Sequence, residues 1–205
     1  MNRTRTKSRR RNPLDVFRAH GGILRFNEAR KAGIHSMTLF RLRQKGFITS
    51  LGRGLYSLAD MRPQTHPDLL IVSRAAPRAV ICLVSALAWH RLTDQIPHAV
   101  DCAFPRGVRP PRLAHPPIRT FWFSPDAHAQ GVETHTVDGS HVRIYSPEKT
   151  IADCFKYRNK IGLDTVLDAL RRYRENVGLR SDKLMKYARV CRVQKVMQPY
   201  LEASL

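Results

Sequence analysis

Residues 23–58 of the chain read ILRFNEARKAGIHSMTLFRLRQKGFITSLGRGLYSL. Their spacing predicts a helix, a tight turn at Gly33, a second helix, and two short strands joined through Gly52, Arg53 and Gly54. Glycine suits a short turn between helices because it tolerates backbone conformations that other residues avoid. This order of elements is that of a winged helix-turn-helix.

The second helix, residues 36–45, has one face that can pack and one that is left to read a partner. Leu39 and Leu42 fall on the packing face of a helix with about 3.6 residues per turn. Ser36 stands where an N-cap is expected, and Gly46 follows as a stop. Three other side chains fall together on the opposite face. They are Met37, Arg41 and Gln44.

That opposite face is the predicted DNA-reading surface, to be inserted in the major groove. Arginine can bond guanine there and glutamine adenine, each through a pair of hydrogen bonds. The two predicted strands form the wing, and the Gly52-Arg53 pair between them predicts a type II′ hairpin. Arg53 at the tip of this hairpin is expected to contact phosphate or the minor groove. The predicted DNA-binding residues are Ser36, Met37, Thr38, Arg41, Gln44, Lys45 and Arg53, together with Arg9, Arg10 and Arg11 of the N-terminal arm.

The charge of the chain points to the same partner. The formal net charge is +20, and residues 1–60 hold 14 basic and 3 acidic side chains, against 22 and 13 in residues 61–205. A surface this basic attracts polyanions, and double-stranded DNA is the expected partner. Residues 1–12 form a basic arm that we expect to be disordered. The arm either follows phosphates and the minor groove or is a solvated tail without defined contacts.

The rest of the chain predicts a second domain. Residues 61–67 contain two prolines and no periodicity, as in a linker. Beyond them, the apolar run at residues 79–83 fits either a strand or a helix, and Asp-Gly at 138–139 predicts a hairpin. The predicted fold class is α+β: an N-terminal winged helix-turn-helix plus a mixed α/β C-terminal domain ending in a helical subdomain. The predicted divisions are residues 1–12, 13–60, 61–67 and 68–205, with residues 13–22 as the first helix.

Enzymatic and metal sites are weakly indicated. Asp138 is favoured in a turn and Glu148 in the first turn of a helix, whatever the function. The four cysteines show no zinc or disulfide spacing. We therefore expect no enzyme, no metal and no cofactor, although a magnesium nuclease can be assembled on paper. Its residues would be Asp101, Glu133, Asp138, Glu148 and Lys149.

The helix predicted at residues 146–158 has two interpretations. Lys149, Lys156 and Arg158 could form a contact surface for RNA or a partner protein. Alternatively, it is a core helix with charged edges on which Asp153 pairs locally.

Two sets of motifs resemble AbiEi-type antitoxins, regulators of toxin–antitoxin and phage-defence loci. The N-terminal set is Gly46-Phe47-Ile48 and Gly52-Arg53-Gly54-Leu55-Tyr56. The C-terminal set is SAL at 85–87, LT at 92–93, IP at 96–97, YSPEKTIADCFKYR at 145–158 and GLD at 162–164. The resemblance runs from residue 13 to the end of the chain.

This resemblance implies a DNA-binding N-terminal domain and a C-terminal domain that neutralises a toxin. It further implies an autorepressing antitoxin, with a nucleotidyltransferase-like toxin encoded alongside it. The alternative from another class is a winged helix that contacts protein instead of an operator. No stretch reaches the roughly 18 apolar residues of a membrane span, so we expect a cytoplasmic protein with no membrane partner.

Overall fold

The computed structural model of the protein describes residues 12–61 and 63–203. These residues divide into two compact units, the first ending at Gln64 and the second beginning at Thr65. Both units combine helices with a sheet. The predicted α+β class is confirmed.

The first unit is a winged helix with a small antiparallel sheet. Its elements are α1 Pro13–Ala19, β1 Ile23–Arg25, α2 Phe26–Lys31, α3 Ser36–Gln44, β2 Ile48–Gly52 and β3 Leu55–Leu58. The strand order is β1-β3-β2, so β3 lies between the other two. Phe17, Leu24 and Leu39 belong to a core that all three helices and the sheet share. Burial of these apolar side chains stabilises the unit.

Strand β1 corrects the prediction that a helix starts at residue 23. Leu24 is fully buried and lies opposite Tyr56 of β3. Helix α2 begins only at Phe26, whose N–H donates to the carbonyl of Gly54 at 2.8 Å. The first helix is also shorter than predicted, since it ends at Ala19. Periodicity cannot identify a three-residue strand, because two adjacent apolar residues fit either type of element.

The N-terminus of α3 also differs from the prediction. His35 has the extended backbone of an N-cap (φ −72°, ψ 153°), and Ser36 is already the first helical residue. No side-chain oxygen caps this helix. The N-cap position predicted for Ser36 is therefore wrong by one residue, because an N-cap side chain must sit on the non-helical residue before the first turn.

The wing hairpin has a different turn from the one predicted. Gly52 pairs with Leu55, which leaves Arg53 and Gly54 as the two loop residues, and a bulge lies between Ser50 and Gly52. The positive φ (+70°) is at Gly54, the second loop residue. A type II′ turn requires positive φ at the first loop residue. Arg53 is the first loop residue, and a residue with a side chain disfavours positive φ. The left-handed conformation is therefore found at Gly54.

The second unit is built on a five-stranded mixed sheet of order β6-β5-β4-β8-β7. Its strands are β4 Val80–Ile81, β5 Val100–Pro105, β6 Ile118–Phe123, β7 Val132–Val137 and β8 Ser140–Tyr145. Its helices are α4 Pro67–Ala75, α5 Leu83–Trp89, α6 Pro125–Ala129, α7 Pro147–Lys156, α8 Arg158–Ile161, α9 Leu163–Val177, α10 Ser181–Cys191 and α11 Gln194–Glu202.

Several local predictions are resolved in this unit. The ambiguous run at residues 79–83 divides between β4 and the start of α5. The predicted Asp138-Gly139 hairpin is confirmed, with positive φ at both residues, as a type I′ turn requires. Arg180 occupies the N-cap position of α10, and Ser181 is its first helical residue. Helix α11 continues through Pro199.

Helix α7 lies in the centre of the second unit. Its N-cap Ser146 accepts a hydrogen bond from the Lys149 N–H. Ile151 and Phe155 are fully buried and join the core formed with α5, α9, α10 and α11. Lys149 is also fully buried, and its Nζ lies 2.6 Å from an Asp153 carboxylate oxygen. The interpretation of Lys149 as a contact surface is wrong.

Candidate nucleic-acid interface

Helix α3 is held by its inner face and by the turn before it. Leu39 is 2% exposed, and Leu42 packs at the edge of the same core. Gly33 has a φ of +83°, and the N–H of Ile34 donates to the carbonyl of Ala29 at 2.9 Å. These contacts close the end of α2 in the manner of a glycine C-cap. They fix the direction in which α3 leaves the turn.

The outer face of α3 is defined here by Met37, Phe40, Arg41 and Gln44, which are three or four residues apart along the helix. All four side chains are exposed, with 59% of Met37 and 56% of Phe40 accessible to solvent. Side chains at this spacing are neighbours on one surface of a helix. The outer face therefore presents two large apolar groups, one guanidinium and one amide.

The cations around this face are not neutralised by any residue in the described part of the chain. Arg41, Arg43, Lys45 and Arg53 are exposed and take part in no ion pair or side-chain hydrogen bond within the described part of the chain. Two of the three acids in residues 1–60 are engaged elsewhere. Asp15 lies 2.7 Å from Arg18, and Glu28 accepts the N–H of Arg25 at 2.9 Å. The cations of α3 and the wing are thus available to an anionic partner.

The structure places the predicted DNA-binding residues as follows. Ser36, Met37, Arg41, Gln44, Lys45 and Arg53 are exposed, and Thr38 is half-buried. Arg9, Arg10 and Arg11 lie outside the described residues. Phe40 was not among the predicted residues, although its spacing of three from Met37 and four from Gln44 puts it on the same face.

The residues considered for a nuclease have separate structural partners. Asp101 is fully buried and accepts from the guanidinium of Arg119 (Nε–Oδ1 2.6 Å). Asp138 accepts the N–H of Thr65 at 2.9 Å, and Glu148 accepts the hydroxyl of Tyr173 at 2.9 Å. Within residues 12–61 and 63–203, no three His, Cys, Asp or Glu side chains are grouped so that they could hold a metal ion.

Two buried side chains of α7 have pKa values that burial raises. Burial raises the pKa of the Asp153 carboxyl, and the Lys149 ammonium opposes that shift. Burial also raises the pKa of Cys154 well above its ordinary value. Cys154 and the other three cysteines are all buried free thiols. A buried thiol with a raised pKa is a poor nucleophile at neutral pH.

Comparison with known proteins finds similarity to a family model and to a solved structure. The description of the family model that matches residues 13–59 is "Transcriptional regulator, AbiEi antitoxin". No curated protein sequence matches the chain. The fold is similar to that in the crystal structure of the RV2827C protein from Mycobacterium tuberculosis, with a TM-score of 0.60, 13% identity, and coverage of 86% of this chain and 69% of that one.

The two matches differ in what they show and in the part of the chain that they cover. The RV2827C likeness concerns the fold alone. The C-terminal motifs lie beyond the matched residues, so their resemblance to AbiEi proteins stays a prediction. Among the described residues, no helix has the length and apolar character needed to cross a membrane. The family match supports a role in transcriptional regulation or as an antitoxin. Over residues 13–59, the chain is similar to the AbiEi antitoxin family of transcriptional regulators.

Proposed function

We propose that the protein is a sequence-specific DNA-binding regulator that represses its own promoter as the antitoxin of an AbiEi-like toxin–antitoxin pair. The observation that carries the proposal is the outer face of α3, on which Arg41 and Gln44 are exposed and have no hydrogen-bond or ion-pair partner for their side chains within residues 12–61 and 63–203. In a winged helix-turn-helix, the second helix of the motif enters the major groove. Arginine and glutamine are the side chains that discriminate guanine and adenine there.

The surrounding cations supply affinity without sequence information. Lys45 follows α3, and Arg53 projects from the wing. Lysine and arginine in such positions contact phosphates and fix the register of the protein on the duplex. The N-terminus of α3 has no side-chain cap and no acid in its first turn, so its positive dipole end favours a phosphate as well. Repression follows from occupation of the promoter.

The second unit is proposed to neutralise the toxin, by the resemblance of its motifs to the AbiEi C-terminal domain. The implied partner is a nucleotidyltransferase-like protein encoded by the neighbouring gene. Unit 2, from Thr65 onward, has its own sheet and core, as a separate functional domain requires.

The first experiment measures binding of the full chain to a duplex from its own promoter at physiological salt. We expect a scrambled duplex of the same composition to compete poorly. Equal competition by both duplexes would contradict operator recognition and favour the alternative, a winged helix that contacts protein. Low-salt binding is uninformative because a net charge of +20 produces some affinity for any DNA.

The second experiment separates repression from neutralisation. Cells carry the neighbouring open reading frame, a promoter reporter, and either the wild-type chain or an Arg41→Ala/Gln44→Ala variant. We expect the variant to lose repression and still protect growth, because both changed residues lie in the first unit. Arg43→Ala is the matched control: it removes an exposed cation of the same helix that is not part of the outer face. Failure of the wild-type chain to protect growth would refute the antitoxin assignment.

A further inference from the structure

The outer face of α3 is unusual in carrying two large apolar side chains in water. Met37 and Phe40 are 59% and 56% exposed, whereas the leucines of the same helix pack inward. They lie three residues apart on α3, so their side chains are neighbours. Exposing these apolar side chains to water costs free energy in the unbound protein. A partner that covers them removes this cost.

The surroundings of the two side chains indicate which partner covers them. Arg41 lies next to both on the same face, Arg43 and Lys45 follow, and none of these cations is paired within the described residues. The first turn of α3 contains no acid. A partner that covers Met37 and Phe40 must therefore bring negative charge close to an apolar group.

Duplex DNA has both properties in its major groove. The phosphates border the groove, and the 5-methyl group of thymine is the apolar feature that the base edges present there. Recognition helices of helix-turn-helix domains contact base edges with their N-terminal residues. Met37 lies in the first turn of α3, and Phe40 is one turn further along the same face.

We propose that Met37 and Phe40 read thymine by packing on its 5-methyl group, and that the operator carries thymine at one or two positions beside the bases read by Arg41 and Gln44. This inference rests on the proposed DNA-binding function and adds a base preference to it. It makes Met37 and Phe40 specificity residues, while the arginine and the amide supply hydrogen bonds.

The test uses the full chain and the tightest-binding duplex enriched by it from a random-sequence library. Each thymine is replaced singly by deoxyuridine, which removes the methyl group and leaves every hydrogen-bonding group in place. At one or two positions, we expect Kd to rise about fourfold, the effect of losing one buried methyl group. Phe40→Ala or Met37→Ala should weaken binding to the thymine duplex and remove the sensitivity to uracil at one of these positions.

Phe47→Ala is the matched control. Phe47 is also a large exposed side chain of the first unit, 50% accessible, but it follows α3 and lies outside the outer face. Its replacement should leave the uracil effects unchanged. Thermal unfolding of each variant checks that the first unit remains folded, which we expect because these side chains are outside the core.

The possible results distinguish the two levels of the proposal. If the enriched duplex binds far better than a scrambled one and uracil is tolerated at every position, methyl recognition is wrong and operator binding stands. If no duplex is enriched, the proposed function fails and this inference fails with it. If Phe40→Ala changes the sedimentation coefficient of the free protein without changing uracil sensitivity, the apolar pair is a self-association surface and the inference is overturned.

Discussion

Helices α3 and α7 both carry several charged side chains, and the two helices place them in opposite environments. On α3, Arg41 and Arg43 are exposed and unpaired within the described residues. On α7, Lys149 and Asp153 are fully buried, joined to each other, and the Lys149 ammonium lies 4.2 Å from the centroid of the Tyr145 ring. Charge on α3 is thus available to a partner, and charge on α7 is used inside the fold.

Whether a helical cation is buried or available depends in part on the charge of the residue four positions further along the helix. Lys149 is followed at that spacing by Asp153, an opposite charge on the same side of the helix. Arg41 is followed by Lys45, a like charge that slightly destabilises the isolated helix. Two exposed cations at this spacing concentrate positive charge on one side of α3, where an anion can bind.

The largest expected effect is the loss of the buried cation. Lys149→Met leaves the Asp153 carboxylate buried without its partner, and breaking a buried ion pair in this way costs roughly 3–5 kcal/mol. Arg41→Ala is the matched change on α3, and it should cost less than about 0.5 kcal/mol because the side chain is exposed. Urea unfolding followed by tryptophan fluorescence measures the first effect, since Trp89 and Trp122 both lie in the second unit. Circular dichroism measures the change in the free energy of unfolding that Arg41→Ala causes. Equal effects of the two changes would contradict the contrast between α3 and α7.

The cost of Lys149→Met should depend on pH. Burial already raises the pKa of Asp153, and removal of the ammonium that opposes this shift raises it further. The folded state then binds a proton more tightly than the unfolded one, so stability is lost as the pH rises through the folded-state pKa. We expect the deficit to be smaller at pH 5 than at pH 7.5. The double variant Lys149→Met/Asp153→Leu should recover most of the stability and lose this pH dependence.

The site could be predicted from the sequence to the extent that it depends on helix geometry. The inner and outer faces of α3 follow from spacing alone, and Leu39 is buried as that spacing predicts. Phe40 was overlooked because an apolar residue in a short helix is ordinarily assigned to the core. Nothing in its residue type distinguishes it from Leu39. Only its position relative to Met37 and Arg41 places it outside.

The rest of the fold depends on pairings that no local pattern encodes. Asp101 meets Arg119 because β5 and β6 are parallel neighbours in register at those residues. The same carboxylate accepts the N–H of Val84 at the start of α5, where the helix has no side-chain cap of its own. From the sequence, Asp101 could also be assembled on paper into a magnesium site. Strand order decides between the two, and strand order is a tertiary property.

The next effect concerns base discrimination by the outer face of α3. Arg41→Ala and Gln44→Ala should each reduce the preference for the operator over a scrambled duplex by roughly 1–3 kcal/mol, if each makes a bidentate contact with a base. Competition binding at physiological salt measures the preference. Arg43→Ala should leave it unchanged. Equal losses on operator and scrambled DNA would mean that Arg41 and Gln44 contact phosphates.

The smallest effect is expected at the wing, where the cation should act through charge alone. Arg53 is exposed at the hairpin tip and takes part in no ion pair or side-chain hydrogen bond among the residues described. Arg53→Ala should weaken binding to operator and scrambled DNA alike and reduce the slope of log Kd against log salt by about one, as for the loss of one phosphate contact. The free energy of unfolding should change by less than about 0.5 kcal/mol because the side chain is outside the core. Deletion of residues 1–11 provides the comparison within the same chain: if the arm also neutralises phosphates, it should flatten the slope by more than one. A wild-type slope for Arg53→Ala would remove the wing from the interface and leave the outer face of α3 as the contact surface of the first unit.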